Sequence, residues 1–231
     1  SKYIDKYIVS TDDSEIAHVS KKFNCDIPFI RPKELASDET SSFEVISHAV
    51  NYFSKEGIKF DYIILLEPTS PLRDSNDIDS AIEKLNSKKD VADSIVGVSK
   101  VESAHPAFDT VINKQGFIEP YIGKKFNIMR RQDIEPLYFF EGSIYISLTK
   151  TFLQKKSFYH ERTLPYIVPR WKSLEIDEMK ICGTLIVSEI STFNSLSIIS
   201  DFVIANIFSL SRSSSLYFSN SDNNVLYWFI I

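Results

Sequence analysis

Glycine and cysteine are scarce in this chain of 231 residues, with six glycines and two cysteines. The glycines are scattered, so no stretch combines paired glycines with basic side chains, the arrangement whose backbone N–H groups cradle a polyphosphate. Cys25 and Cys182 lie far apart and form no metal-ligand spacing, which reads as reduced thiols of the cytosol. An excess of positive charge is also missing: 26 Lys and Arg face 31 Asp and Glu, a net charge of -5, and this excludes a broad nucleic-acid-binding surface. The opening SKYIDKYIVS lacks the charged-then-apolar pattern of a secretory signal. Between Thr184 and Phe208 the chain is apolar, yet Glu189 and Asp201 interrupt it, and each is costly in mid-bilayer. The expectation is a cytoplasmic protein with no membrane partner. His18, His48, His105 and His160 fall in no Cys/His or Ser/His/Asp arrangement.

What is present is enough apolar material, 43% hydrophobic and 13% aromatic, to bury one large core with at most a small appendage. Tyr7 to Thr11 is a β-rich run. Asp12 and Glu15 follow as a capping-box-like pair, predicting a helix with Ile16, Val19 and Phe23 on one face. Phe43 to Phe53 carries Val45, Ile46, Ala49, Val50 and Phe53 at helical spacing, and Asp61 to Leu66 is a continuous apolar run stopped by Pro68. Asp77 to Leu85 predicts a helix with Ile78, Ala81, Ile82 and Leu85 inward, and Ala92 to Val98 a third strand. Alternation of this kind predicts an α/β fold: a Rossmann-like, doubly wound, mostly parallel sheet with ligands beyond the carboxyl ends of its strands, near Thr11, Thr69 and Ser99. Phe108 to Pro120 reads as a hairpin around Asn113 to Gly116, Lys124 to Pro136 as a basic exposed arm, and Ser143 to Ser147 and Leu164 to Val168 as returning strands. Beyond Met179 only Lys180, Glu189, Asp201, Arg212 and Asp222 are charged, and no helical period or turn grammar emerges.

Five signatures then occur in one order: VSTDDSEIA (9–17), FIRPKELASDETSS (29–42), LLEPTSPLR (65–73), MRRQDIEPLYFFEGSIYIS (129–147) and SLEID (173–177). In that order the chain resembles the acylneuraminate cytidylyltransferases, the CMP-sialic acid synthetases and their relatives for other nine-carbon sugars, over roughly residues 1 to 178. The resemblance implies transfer of CMP from CTP to a nonulosonic acid. The sugar's anomeric hydroxyl attacks the α-phosphorus and pyrophosphate leaves, a reaction governed by positioning and charge neutralisation with Mg²⁺.

The site residues follow from the same resemblance. Glu175 and Asp177 match the metal pair, and residues two apart on an extended segment do point the same way. Arg131, flanked by Arg130 and Gln132, matches the residue that meets the sugar's carboxylate, which a guanidinium can grip with two charge-assisted bonds. Arg31 with Ser41 or Ser42 matches the cytidine-binding positions, although Ser41 or Ser42 could equally cap the helix near Phe43. Glu67, Thr69 and Ser70 lie at the sugar's position, where the family usually has Gln in place of Glu67; a glutamate accepts hydrogen bonds and repels a carboxylate. In relatives the arm, here about 121–142, crosses a dimer interface, so a homodimer is implied.

The family's opening strand and Gly-rich basic loop have no counterpart in the sequence, which therefore reads as a fragment or a disrupted gene product with an atypical tail over 179–231. A remnant that binds sugar or partner without turnover, and a nucleotidyltransferase for another sugar acid, are the alternatives. The apolar run Val225 to Ile231 is a candidate for the central slot that an absent first strand would leave in the sheet.

Overall fold

A computed structural model of the chain describes residues 1–37, 39–101, 105–122, 130 and 133–175, together with the backbone of 227–230. Strand β1 (Tyr7–Ser10) leads into α1 (Ser14–Lys22); α2 (Ser42–Lys55), β2 (Tyr62–Leu66), α3 (Ser75–Ser87) and β3 (Ser94–Lys100) follow in alternation. The hairpin β4 (Thr110–Ile112) and β5 (Ile118–Pro120) comes next, then the long β6 (Tyr138–Leu148), α4 (Thr149–Lys155), β7 (Thr163–Ile167) and β8 (Tyr227–Ile230).

The unbroken apolar run of β2 is explained by burial on both sides. Ile63 and Leu65 join Val45, Ile46, Ala49, Val50 and Phe53 of α2 and Phe152 of α4 in one core. Ile64 and Leu66 face the other way, onto Ile78, Ala81, Ile82 and Leu85 of α3. Successive strand residues point to opposite faces, so a strand covered by helices on both sides must be apolar at every position.

The sheet order is β1-β8-β2-β6-β3-β7. Among the described strands only β3 and β7 pair in parallel; β6 runs antiparallel to both β2 and β3, and β8 antiparallel to both β1 and β2. The sheet is thus mixed, with more antiparallel pairing than the alternation of strands and helices predicts. The reason is that the returning strands β6 and β8 insert between strands that share a direction. Residues 227–230 fill the slot between β1 and β2, where Phe229 lies opposite Ile8 on one side and Leu65 on the other.

Two local expectations are corrected. The first helix is capped by Asp13, whose carboxylate accepts from the N–H groups of Glu15 and Ile16, and not by Asp12. Its buried face carries Ala17 and Ser20, whereas Phe23 lies 40% exposed just past its end. The hairpin is as expected, turning at Asn113 and at Gly116, whose φ of 86° only glycine adopts without strain. Tyr138 to Gly142, within the arm as read from the sequence, belong to β6. Most of Lys124 to Pro136 lies outside the described residues, as does the tail apart from β8. Among the described residues no helix is long and apolar enough to cross a membrane.

Candidate active site

The carboxyl end of β2 delivers Glu67 and Ser70, and the middle of β6 passes beside them. Arg73 ties the two segments together: its Nη1 donates to the Glu67 carbonyl at 3.2 Å and the Ser143 carbonyl at 2.6 Å. Burial lowers the pKa of this guanidinium to about 10 while the nearby Glu141, Glu67 and Asp77 pull it back up, so it remains a cation at neutral pH.

Glu175 comes from the opposite direction. After β7 a short 3₁₀ turn over Arg170–Lys172 is held to α3 by Lys172, whose Nζ lies 2.7 Å from both Asp74 and Asp77. Asp74 also caps α3 in a reciprocal capping box with Asp77, so one pair of carboxylates starts the helix and anchors the turn. Ser173 then closes on Arg170, accepting from its guanidinium at 2.8 Å. The chain emerges with Glu175 pointing at β6, where Gly142 N–H donates to its Oε1 at 2.6 Å.

Gly142 is the hub of this arrangement. A Cβ at that position would run into Glu67 Oε2 and lie 3.0 Å from both Glu175 Oε1 and Ser70 Oγ. One strand position earlier, Glu141 is 1% exposed and hydrogen-bonded to the hydroxyl and N–H of Ser143. A Cβ on Gly97 of β3 would collide with it. Burial pushes the Glu141 carboxyl above its ordinary pKa, against its bonds to Ser143, with the Glu175 charge adding to the rise.

The structure therefore brings Glu67, Ser70 and Glu175 together, with Thr69 half-buried beside them. Two other expected residues have local partners. Arg31 is 1% exposed, its Nη2 pairs with Asp12 at 3.0 Å, and its backbone N–H donates to the carbonyl of Thr11, just past β1. Ser41 caps α2 in a capping box with Glu44, while Ser42 begins the helix. Arg130 is exposed; Arg131, Gln132 and Asp177 lie outside the described residues. Sequence reasoning missed Glu141, Gly142 and the partnership of Asp12 with Arg31. The run EGSIYIS held the only signal for the first two: an acidic residue and a glycine heading an otherwise apolar strand.

The family model described as "Cytidylyltransferase" matches residues 1–201. The chain belongs to the cytidylyltransferase family. Over 181 residues it is 32% identical to CMP-N,N'-diacetyllegionaminic acid synthase of Legionella pneumophila, covering 77% of this chain and 75% of the relative. Over 169 residues it is 32% identical to N-acylneuraminate cytidylyltransferase of Streptococcus agalactiae, covering 73% of this chain and 39% of that longer protein. Pseudaminic acid cytidylyltransferase of Campylobacter jejuni is 25% identical over 185 residues, 78% of this chain and 76% of the relative. This cytidylyltransferase thus matches the family further along its length than residue 178, where its recognisable motifs end.

Proposed function

We propose that this cytidylyltransferase transfers CMP from CTP to a nonulosonic acid and releases pyrophosphate. The observation that carries the reading is the meeting of Glu67, Ser70 and Glu175 around Gly142, at the carboxyl ends of β2 and β7, in a chain of this family. In the reaction the sugar's anomeric oxygen forms a bond to the α-phosphorus, the bond to the β-phosphate oxygen breaks, and the hydroxyl proton is lost to solvent or a base. Arg131, with Arg130 and Gln132, holds the sugar's carboxylate; Arg31 with Ser41 or Ser42 holds the cytidine; Glu67, Thr69 and Ser70 bind the sugar.

Glu175 and Asp177 would hold Mg²⁺, which would neutralise charge on the phosphates. The donor chemistry suits it: Glu175 anchors one oxygen on the Gly142 N–H, and its second oxygen is the one that can face a hard cation. Residues 1–178 act as the catalytic unit. Ile112, Phe117, Ile118, Tyr121 and Ile122 are more than half exposed on and after the β4–β5 hairpin, an apolar surface that suits burial in a homodimer. A cytoplasmic location fits CTP as substrate and the free, buried Cys25.

The test is pyrophosphate release from CTP with N-acetylneuraminic, legionaminic and pseudaminic acids in turn, with and without Mg²⁺. Release with one of them, abolished by chelation, is expected; none with any of the three overturns the reading. A monomer by sedimentation velocity would remove the dimer from it. Cell fractionation that finds the protein in the envelope would remove the cytoplasmic placement. Sugar binding without turnover is the alternative outcome of the same test. Binding without release would select it.

A further inference from the structure

The segment after β7 leaves the sheet at Val168, whose N–H donates to the Val98 carbonyl at 2.8 Å, and meets it again at Glu175, whose carboxylate accepts from Gly142. The bonds in between are of two kinds. Some lie inside the turn: Lys172 N–H to the Pro169 carbonyl at 2.8 Å, Ser173 N–H to the Arg170 carbonyl at 3.2 Å, and the Arg170 guanidinium to Ser173 Oγ at 2.8 Å. These fix the shape of the turn but not its place. Its place is fixed by Lys172 Nζ, 2.7 Å from Asp74 and 2.7 Å from Asp77, with a looser contact from Arg170, whose guanidinium stands 5.4 Å from the centre of the Phe139 ring.

The anchor for Lys172 is itself held firmly. The Asp74 carboxylate accepts from the N–H groups of Asn76 at 2.8 Å and Asp77 at 3.1 Å, while the Asp77 carboxylate accepts from the Asp74 N–H at 3.0 Å and the Tyr166 hydroxyl at 3.2 Å. The side chains of Lys172 and Asp77 are 13% and 12% exposed, so solvent screens their pairing weakly. Asp74 directly follows Arg73, which is bonded to the Glu67 carbonyl, so the clamp grips the same loop that presents Glu67 and Ser70. Only three residues of chain, about 10 Å when extended, run from Lys172 to Glu175.

We propose that Lys172 is a positioning residue for the metal: by clamping the turn to the start of α3 it sets where the Glu175 carboxylate stands, and so how tightly the site takes a divalent cation. This rests on the Mg²⁺ role given to Glu175 above. A ligand whose supporting group is removed must be ordered when the cation arrives, and that ordering weakens binding.

Mn²⁺ titrated into the full chain without nucleotide, with the free ion read by electron paramagnetic resonance, tests the role. Lys172→Met, which keeps the aliphatic stem and removes the charge, should weaken Mn²⁺ binding about tenfold, and Lys172→Arg should return it to within about threefold of the wild type. The Mg²⁺ concentration that half-saturates pyrophosphate release should rise by a similar factor in Lys172→Met, with a smaller change in turnover at saturating Mg²⁺. Arg162→Gln is the control. It breaks the 2.8 Å pair with Asp93 at the other end of β7 and should leave Mn²⁺ affinity unchanged. If Lys172→Met does not fold, Asp74→Asn keeps a helix cap, loses one of the two ion pairs and should weaken Mn²⁺ about threefold; unchanged affinity there overturns the proposal. So does wild-type affinity in Lys172→Met, an equal loss in Arg162→Gln, or a Lys172→Arg variant as weak as Lys172→Met, and each of these leaves the metal role of Glu175 standing. If the wild-type protein takes up no Mn²⁺, that role falls, and this proposal with it.

Discussion

Gly142 N–H and Glu175 Oε1 lie 2.6 Å apart, so a strand in the middle of the sheet orients a carboxylate that arrives from the chain segment after β7. The glycine is required for space, since a Cβ there would strike Glu67 Oε2. Gly142→Ala should therefore push Glu67 and Glu175 apart. A loss of about 100-fold in turnover is expected, the scale of a misplaced catalytic group. Overpacking should cost stability about 1 to 3 kcal/mol. Steady-state kinetics beside urea unfolding separates the two effects, and an unchanged turnover would contradict the arrangement.

Arg73 bridges β2 and β6 through two carbonyls, and its enclosed charge stands among Glu141, Glu67 and Asp77. Arg73→Ala strands both carbonyls and leaves buried carboxylates uncompensated, which should cost about 3 kcal/mol or more. Arg73→Lys keeps the charge but loses the planar fork, so a smaller loss is expected. Chemical denaturation of both variants checks the order.

Much of this architecture is legible in the residues. The helical faces of α2 and α3 can be read because every apolar position they expose to the sheet recurs at a spacing of three or four, and all of those positions are buried. What is not legible depends on long-range neighbours. Asp12 and Asp13 are equivalent as local caps; the burial of Arg31 beside Asp12 decides which is free to cap. The antiparallel insertion of β6 depends on pairing between positions 38 to 86 residues apart, which no local period encodes. Glu141 resembles a solvated residue until Gly97 opens room for it inside the sheet.

Burial raises the folded pKa of Glu141 above that of the unfolded chain. The folded protein then holds more protons than the unfolded one as pH climbs through that interval, so Glu141 reduces stability as pH rises above the ordinary carboxyl range. Its penalty is absent below that range and complete once pH exceeds the folded value. Glu141→Gln should raise the melting temperature at neutral pH and flatten the decline between mildly acidic and neutral pH. Melting curves across that interval decide it; an unaltered slope would exclude Glu141 as its source.

β8 is hydrogen-bonded on both edges and joins β1 to β2. Proline at position 229 removes one backbone donor and disturbs the ladder, for an expected cost of at least about 2 kcal/mol. Hydrogen exchange at Ile8, Val9, Ile64 and Leu65 should accelerate in Phe229→Pro. Unchanged protection there would show that the strand contributes nothing to the sheet.

Phosphorus NMR of CTP incubated with Mg²⁺ and a nonulosonic acid is the most direct measurement of the central claim. The account predicts equal amounts of pyrophosphate and a new phosphodiester linking CMP to the sugar, both lost in Glu175→Gln. CTP that persists unchanged, or pyrophosphate accumulating with CMP and no sugar phosphodiester, would contradict it.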